Sequence, residues 1–530
     1  MTSTLLRWLA IAGIIFLQTP ISVANQVTDV PVSVEQWDFF EIKLTGPATG
    51  NPFTEVSLSA QFVQGDRKLD VPGFYDGDGI YRIRFMPDTI GEWQYETHSN
   101  RVELQGRHAA ILVKPARAGN HGPVSVRNTF HFAYADGTPY RQIGTTSYSW
   151  LHHNQALEEQ TLKTLATSPF NKLRMVVFPM QQNNPDLYPF AGRPPLAWDL
   201  SRFNPAFFRH IETGIDQLRT LGIEADIILF HPYDKGHFGF DRMPASVDDR
   251  YLRYVVARLS AYRNVWWSMA NEFDFMTAKT TADWDRYFHI VQQSDPYQHL
   301  RSIHNGLQLY NQTQPWVTHA SIQSGAVAED ARRAVILRDV YRKPVVLDEV
   351  KYEGNMQQRW GHLTPEAMLL RFWQATIAGT YAGHSDTYLD PEDGLPWLDK
   401  GGVFRGQSVP RIAFLRSVLA TAPAEGLDPI DEGASLPFVG KRGSYYLTYF
   451  GRATPLNWKF LLYQSGLREG MRCKVEIIDT WNMTIHPVDE YFELKKQDDD
   501  SFIDKHGRSI ALPGKPYVAL RITVLTTQQQ

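Results

Sequence analysis

Cysteine is nearly absent from this sequence, since Cys473 is the single one among 530 residues. The chain therefore cannot form an intramolecular disulfide and must be stabilised by large cores. An excess of one charge is lacking too, because 53 basic and 57 acidic side chains leave a net charge of −4. That balance gives no support to nucleic-acid or membrane-surface binding. The length exceeds that of one ordinary domain, so several domains are expected.

Long hydrophobic runs are lacking as well, apart from one near the N-terminus. Residues 8–17 are apolar, Arg7 precedes them, and Ser22 and Ala24 form a small-x-small cleavage site. The run is too short to span a bilayer comfortably, so residues 1–24 are predicted to be a signal peptide. An exported chain without disulfides is typical of a secreted or periplasmic bacterial protein, and no membrane association is expected after cleavage.

Three regions with different patterns follow the predicted signal peptide. Period-two alternation of apolar residues and clusters of turn residues predict a β-sandwich at residues 26–116 and another at residues 430–527. Between them, at residues 118–422, short β-rich runs alternate with helical patterns, which indicates βα units. One helix is well marked by Asn204 as N-cap, Pro205 in the first turn and Gly222 as the stop signal.

Eight β-rich runs can be counted in the central region, which predicts a TIM (β/α)8 barrel. A doubly wound sheet is the alternative, but the glycine-rich phosphate turn that it needs is missing after the first strand. The predicted strands cover residues 140–146, 172–178, 223–230, 265–270, 300–304, 317–323, 344–349 and 379–384.

Polar residues are concentrated at the ends of these predicted strands, where a TIM barrel carries its active site. Each of them alone has an ordinary structural explanation, such as a hydrogen-bonded histidine or a helix cap, but the combination is stronger. The polar residues are His231, Asn271, Glu272, His304, His319, Gln323, Asp348, Glu349, His384 and Asp386.

Two glutamates among these residues have the placement that glycosidic bond cleavage needs. That reaction requires a protonated carboxylic acid and an ionised carboxylate on opposite faces of the anomeric carbon. Strands four and seven lie across the barrel mouth, so Glu272 and Glu349 can flank a sugar. Neighbouring strand side chains point to opposite faces, so we choose Glu349 over Asp348, and Glu353 is a weaker rival in a predicted loop. Asn271 is expected to bind a sugar 2-hydroxyl.

This pattern resembles the clan-A glycoside hydrolases, which are TIM barrels with an Asn-Glu pair after strand four and a nucleophilic Glu after strand seven. The matching motifs are WWSMANE at residues 266–272 and VVLDE at residues 345–349. The resemblance implies that Glu272 is the general acid/base and that Glu349 is the nucleophile. It further implies roles in orienting the nucleophile or binding sugar for Arg174, His231, His304, His319 and His384.

A narrower resemblance, which covers most of the chain, is to the cellulase-like and apiosidase-like hydrolases. It implies an immunoglobulin-like N-terminal domain and a C-terminal β-sandwich around the barrel. Its motifs include VPGFYDGDG at residues 71–79, DGTP at residues 136–139 and DEVKYEGN at residues 348–355. One departure is HSD at residues 384–386, where relatives often carry HGE, so substrate specificity does not carry over.

Together these observations predict a secreted, retaining glycoside hydrolase that acts on a plant or algal poly- or oligosaccharide by double displacement. A carbohydrate is the expected partner, no cofactor or metal ion is expected, and the oligomeric state is left open. Trp266, Trp267 and Trp373 are candidates for an aromatic wall beside Glu272, although core packing is the expected role of at least two of them. The alternative function is a non-catalytic carbohydrate-binding protein on the same fold. A metal-dependent barrel hydrolase is a further alternative, although the His-x-His pair usual on its first strand is missing.

Overall fold

The computed structural model describes residues 32–430, 436–463, 466–497 and 501–525. The predicted signal peptide, residues 1–24, lies outside these ranges. No helix within the described ranges is both long and apolar enough to cross a membrane.

The N-terminal region contains seven strands and one short helix. They are β1 (Ser33–Glu35), β2 (Phe40–Thr45), α1 (Pro52–Glu55), β3 (Leu58–Gln64), β4 (Arg67–Tyr75), β5 (Ile80–Phe85), β6 (Gly91–Ser99) and β7 (His108–Lys114). The strand β4 pairs with β3 through residues 67–72 and with β5 through residues 73–75. The sheet therefore bends along β4 around a shared core, in which the stacked rings of Phe62 and Phe85 lie 3.9 Å apart.

A small antiparallel sheet connects this region to the barrel. It consists of β8 (Val124–Arg127), β9 (His131–Tyr134) and β10 (Pro139–Tyr140). The first predicted barrel strand, residues 140–146, is therefore divided, because Tyr140 pairs with Phe132 of β9. The rings of both residues pack against Trp266, so the sheet covers one end of the barrel with aromatic side chains.

The central region is built on eight parallel strands and confirms the eight predicted ones. The strands of this region are β11 (Gly144–Thr146), β12 (Lys172–Val176), β13 (Phe190–Arg193), β14 (Ala197–Phe203), β15 (Glu224–Phe230), β16 (Val265–Ala270), β17 (Arg301–Ser302), β18 (Ala320–Gln323), β19 (Val345–Glu349), β20 (Glu353–Gly354), β21 (Tyr381–His384) and β22 (Asp386–Thr387). The barrel order is β17-β16-β15-β12-β11-β21-β19-β18, and a parallel bridge between His304 and Ser321 joins the two outer strands into a ring.

Helices surround this sheet, as the alternating pattern predicts. They are α2 (Gln155–Ala166), α3 (Pro205–Thr220), α4 (Ala245–Leu259), α5 (Thr281–Ser294), α6 (Ala331–Tyr341), α7 (Pro365–Ile377), α8 (Trp397–Lys400) and α9 (Ser408–Ala420). The marked helix is confirmed as α3, because Asn204 accepts a hydrogen bond of 3.2 Å from the Ala206 amide. The helix ends before Gly222, whose φ of 70° suits a residue without a side chain.

The C-terminal region is again β-rich, with one large sheet and one separate pair of strands. Its strands are β23 (Asp428–Ile430), β24 (Phe438–Lys441), β25 (Tyr445–Tyr449), β26 (Asn457–Lys459), β27 (Leu461–Tyr463), β28 (Arg472–Asp479), β29 (Thr484–Pro487), β30 (Phe492–Lys496), β31 (Ser501–Asp504), β32 (Ser509–Ala511) and β33 (Val518–Val524). β33 lies between β25 and β28 in the large sheet, and its apolar residues form the core.

Both β-rich regions are packed against the helices of the barrel. On the N-terminal side, Arg84 forms a 2.9 Å ion pair with Glu212 of α3, and Asp76 forms one of the same length with Arg258 of α4. On the C-terminal side, Trp373 of α7 stacks on Tyr449, with ring centroids 5.3 Å apart. These contacts explain why Trp373 is fully buried and far from solvent.

Candidate active site

A cavity of about 720 Å³ opens at the C-terminal ends of the barrel strands. Glu272 and Glu349 both line it, together with residues from the loops after several strands. The remaining lining residues are Tyr148, Met180, Gln182, Tyr233, Lys235, Phe275, Gln323, Gly325, Lys351, Tyr352, Met356, Trp360, Leu389, Gly394, Leu395, Pro396, Leu398 and Asp399. The two β-rich regions contribute none of these residues.

The position of Glu349 depends on a bulge in β19. The pairing with β18 loses its register, because the partners of Ser321 and Gln323 are three residues apart in β19 rather than two. An extra residue in one strand breaks the strict alternation of side chains. As a result Asp348 and Glu349 both reach Arg174, at 3.9 Å and 3.4 Å, although only Glu349 lines the cavity. The expectation that the two carboxylates point to opposite faces is therefore wrong.

Cationic and hydrogen-bonding groups surround the Glu349 carboxylate. Arg174 Nη1 lies 3.4 Å from its Oε1 atom, His304 Nε2 lies 3.4 Å from the same atom, and the Tyr148 hydroxyl donates a short hydrogen bond to it. Burial alone would raise the pKa of Glu349, but the hydrogen bonds and positive charge of these neighbours lower it to about 2. Glu349 is therefore ionised at neutral pH, as a nucleophile must be.

Among the described residues, no cation forms a hydrogen bond with Glu272. The Tyr233 hydroxyl donates to its Oε2 atom at 3.0 Å, and Gln323 Nε2 donates to its Oε1 atom at 3.1 Å. Burial, followed by the negative charge of Glu349, raises the pKa of Glu272 to about 7. Glu272 also has a left-handed backbone, with a φ of 45°, at the end of β16. Because its pKa is raised to about 7, Glu272 can hold a proton near neutral pH.

Asn271 connects the two carboxylates indirectly, through hydrogen bonds to the residues that contact them. Its Oδ1 atom accepts a 2.6 Å hydrogen bond from Arg174, and its Nδ2 atom donates to Tyr148 at 3.2 Å and to Tyr233 at 2.5 Å. These are the tyrosines that donate to Glu349 and Glu272, so one amide orients both donors. Asn271 is fully buried, and its contacts are with these side chains rather than with the cavity.

The structure brings five of the predicted binding residues to the carboxylate pair, directly or through one neighbour. Arg174, Asn271, His304 and Gln323 have the contacts given above. His231 acts one step away, because its Nδ1 atom accepts a 3.2 Å hydrogen bond from the backbone amide of Tyr233. Its ring also stacks beside the Tyr233 ring, and burial lowers its pKa to about 4, so the imidazole is neutral.

His319 and His384 lie away from the cavity, so their predicted role in sugar binding is corrected. His319 precedes β18, and its ring packs on Phe132 and Trp266 at the opposite end of the barrel. His384 is in register with Thr145, on the side of the sheet that faces the helices, where it stacks on Phe170. Burial lowers the pKa of each histidine to about 3.

Asp386 is the third predicted binding residue that lies away from the cavity. Its carboxylate accepts hydrogen bonds of 2.6 Å from the backbone amides of Arg405 and Gly406 and one of 3.0 Å from that of Tyr388. A buried carboxylate that is bound by three backbone amides holds a loop in place. Asp386 is therefore assigned to the support of this loop.

Both rival carboxylates have other partners. Asp348 accepts a 2.8 Å hydrogen bond from Lys172 and one of 2.6 Å from Ser321, beneath the cavity. Glu353 accepts hydrogen bonds of 2.6 and 3.0 Å from the backbone amides of Gln407 and Ser408, at the start of α9. Neither lines the cavity. Of these three carboxylates, only Glu349 lines the cavity.

Tyrosines form the part of the site that the sequence prediction missed. Tyr148 and Tyr233 follow the first and third barrel strands within three residues, which is the signal that could have identified them. Burial, together with the nearby carboxylates, raises the pKa of both phenols well above the usual value, so both remain hydrogen-bond donors. Trp266, Trp267 and Trp373 are all buried away from the cavity, so the expectation of core packing is confirmed and none of them forms a wall beside Glu272.

Models of known protein families match three parts of the chain. The model of the apiosidase-like catalytic domain matches residues 127–388. Two domains of unknown function, DUF5060 and DUF5605, match residues 33–100 and 435–523. No functionally curated protein shows a significant match.

Solved structures extend the comparison. A Bacteroides vulgatus protein assigned to the glycoside hydrolases is 42% identical, with a TM-score of 0.90 over 93% of this chain and 100% of that one. A family 5 glycoside hydrolase from the same organism is 13% identical, with a TM-score of 0.58 over 76% of this chain and 94% of the other, which shows the fold alone. The chain therefore belongs to the glycoside hydrolases, and its residues 127–388 are similar to the apiosidase-like catalytic domain.

Proposed function

We propose that the protein hydrolyses a glycosidic bond with retention of configuration, with Glu349 as nucleophile and Glu272 as general acid/base. The observation that supports this most strongly is the opposite effect of the cavity on two glutamates that line it. The pKa of Glu349 is lowered to about 2, whereas that of Glu272 is raised to about 7. Two carboxyl groups with separated pKa values are the requirement for acid and nucleophile in one site.

In the first step, Glu349 attacks the anomeric carbon and Glu272 gives its proton to the departing oxygen. A glycosyl-enzyme ester forms at Glu349 while the glycosidic C–O bond breaks. When this ester forms, the negative charge that raises the pKa of Glu272 disappears, so Glu272 becomes a stronger acid and stays ionised after proton transfer. It can then accept a proton from the water that attacks the ester, which releases the sugar.

The rim of the cavity supplies surfaces that fit a saccharide. The rings of Phe275 and Trp360 line the cavity and are 43% and 41% exposed, whereas most large aromatic side chains are buried. We assign them as stacking surfaces for the apolar faces of sugar rings. A plant or algal poly- or oligosaccharide remains the proposed substrate.

The organisation of the whole chain is proposed in the same way. Residues 1–24 would direct export to the periplasm or the exterior of a bacterium. Residues 26–116 would form an immunoglobulin-like domain, residues 118–422 the catalytic barrel, and residues 430–527 a β-sandwich. The contacts of both β-rich regions with α3, α4 and α7 support a buttressing role for them.

The test is a screen of plant and algal oligosaccharides, followed by proton NMR of the first product of any substrate that is cleaved. Retention requires that the new reducing end has the anomeric configuration of the bond that was broken. An inverted first product would exclude Glu349 as nucleophile. Binding without any cleavage throughout the screen would instead favour a non-catalytic carbohydrate-binding protein.

A further inference from the structure

Two lysines line the cavity on opposite sides of the carboxylate pair. Lys235 follows β15 and Lys351 follows β19, and these strands lie across the closed ring from each other. Within the described residues, neither lysine has an ion pair with a carboxylate, whereas Lys172 and Lys400 each contact two. The cavity therefore presents two ammonium groups that have no carboxylate partner among the described residues.

The backbone at both lysines is of a kind that disfavours a side chain. The φ angles of Lys235 and Lys351 are 49° and 66°, in the left-handed region, which glycine adopts most easily. The chain uses glycine at most of its left-handed positions, including Gly236 beside Lys235. Unfavourable backbone of this kind is concentrated at functional sites in proteins, where the side chain is needed.

The stem of Lys351 is held against the loop after β18. A Cβ atom at Gly325 would lie 2.8 Å from Lys351 Cε and 3.0 Å from its Cγ, so the Lys351 side chain packs closely on the glycine backbone. Gly325 also lines the cavity, and Lys351 is two residues beyond Glu349. Lys351 thus packs along the same part of the cavity wall that carries Gly325 and Glu349.

Asp399, the third carboxylate that lines the cavity, forms no ion pair with either lysine. The Asp399 carboxylate accepts hydrogen bonds from Ser149 at 2.7 Å and from Gln182 at 2.8 Å. Glu349 interacts with Arg174 and His304 instead. A neutral sugar would cover the two ammonium groups without offering them a charged partner, whereas an anionic sugar would form charge-assisted hydrogen bonds with them.

We propose that the substrate is an acidic saccharide, in which Lys351 binds a carboxylate or sulfate group beside the nucleophile and Lys235 binds a second anionic group across the cavity. This proposal rests on the proposed glycosidase function and names its substrate class. Uronic acids and sulfate esters share the required chemistry.

Binding can be tested apart from turnover in the Glu349→Gln variant, by calorimetry at low ionic strength. Four probes are used: a uronic-acid trisaccharide, its carboxyl-reduced form, a sulfated trisaccharide and its desulfated form. We expect one acidic probe to bind at least about tenfold more tightly than its neutral counterpart. Which of the two pairs shows the preference distinguishes carboxylate from sulfate.

Variants in the same background locate the preference. Lys351→Met should abolish it, Lys351→Arg should retain most of it, and Lys235→Met should reduce it by about threefold, because its anion lies farther from the reacting sugar. Lys163→Met, at an exposed lysine of α2, is the matched control and should leave the preference unchanged. Added salt should weaken only the acidic probes.

The proposal is overturned by equal affinity for acidic and neutral probes, by failure of both acidic probes to bind, or by a preference that survives Lys351→Met. Melting curves establish folding, and Lys351→Gln replaces Lys351→Met if the latter does not fold. The proposed function fails in a different way. It is excluded if the wild-type protein cleaves no glycoside, or if Glu349→Gln retains turnover, whatever the ratio of affinities.

Discussion

Around Glu349 the cavity supplies a guanidinium, an imidazole and a phenol, whereas around Glu272 it supplies a phenol and an amide. Both carboxylates are buried to a large extent, so burial alone would push both pKa values upward. The difference between the two sides therefore comes from their neighbours. The same residue type is thus ionised on one side of the cavity and able to hold a proton on the other, and the following predictions test the division of roles that we propose.

The largest expected effect is that of Glu349→Gln. The amide cannot form the ester intermediate, so kcat/KM should fall by roughly 10⁴-fold or more, the scale found when a covalent nucleophile is removed. Steady-state kinetics on any cleaved substrate measure this, with circular dichroism as the folding control. Activity near the wild-type level would assign the nucleophile elsewhere.

Glu272→Gln should have the next largest effect, roughly 10²–10⁴-fold on kcat/KM, the usual contribution of a general acid or base. The wild-type profile of kcat/KM should fall above pH about 7, where Glu272 loses its proton, and below pH about 2, where Glu349 gains one. Glu272→Gln should remove the alkaline limb. A variant that keeps this limb would show that another group supplies the proton.

His304→Asn weakens the Glu349 side. A hydrogen bond to an ionised group contributes about 1.5–3 kcal/mol, so kcat/KM should fall roughly 10- to 100-fold. His304 lowers the pKa of Glu349, so its loss should move the acid limb to higher pH. The alkaline limb should stay in place, and a shift of that limb instead would contradict the separation of the two sides.

Tyr233→Phe changes the Glu272 side in the same way. Loss of one hydrogen bond, at about 1.5 kcal/mol, should reduce kcat/KM roughly tenfold. The Tyr233 hydroxyl lowers the pKa of Glu272, so its removal should shift the alkaline limb to higher pH. The pH profile of kcat/KM tests this prediction. An alkaline limb that does not move would show that Tyr233 has no effect on the pKa of Glu272.

The smallest effect on catalysis is expected for His384→Gln. His384 lies on the helix side of the sheet, so kcat/KM should stay within about threefold of the wild type once the protein is folded. Its stacking on Phe170 should be lost, and the free energy of unfolding should fall by about 1–3 kcal/mol. A large rise in KM without loss of stability would return His384 to the substrate site.

The sequence was sufficient for the barrel and for the position of Glu272 and Glu349 at one cavity, because the ends of parallel β-strands share one edge of a sheet. It was insufficient for His319, which was assigned to the same predicted strand end as Gln323. Four residues along a strand span about 13 Å, so the two side chains lie at different ends of the barrel.

Register and bulges are the other reason why sequence patterns failed. His384 faces the helices because it pairs with Thr145 rather than with an inward-facing residue, and pairing depends on contacts far apart in the chain. The extra residue in β19 likewise brings Asp348 and Glu349 to one side. Tyr148 and Tyr233 were missed because they lie in loops, where the sequence has no hydrophobic periodicity from which their orientation could be predicted.

The loop closure by Asp386 has a consequence for how this enzyme can diversify. Asp386 stands at the start of the segment 387–404 and binds the backbone amides of Arg405 and Gly406 at its end. That segment supplies one wall of the cavity, from Leu389 to Asp399, but no contact to Glu272 or Glu349. Longer loops cost little additional closure entropy when their ends are fixed. The part of this wall from Leu389 to Pro396 can therefore vary, and with it the sugar that is admitted. Leu398 and Asp399 must stay, because their carbonyl oxygens accept hydrogen bonds of 2.8 Å from the backbone amides of Tyr148 and Ser149, and Tyr148 donates to Glu349.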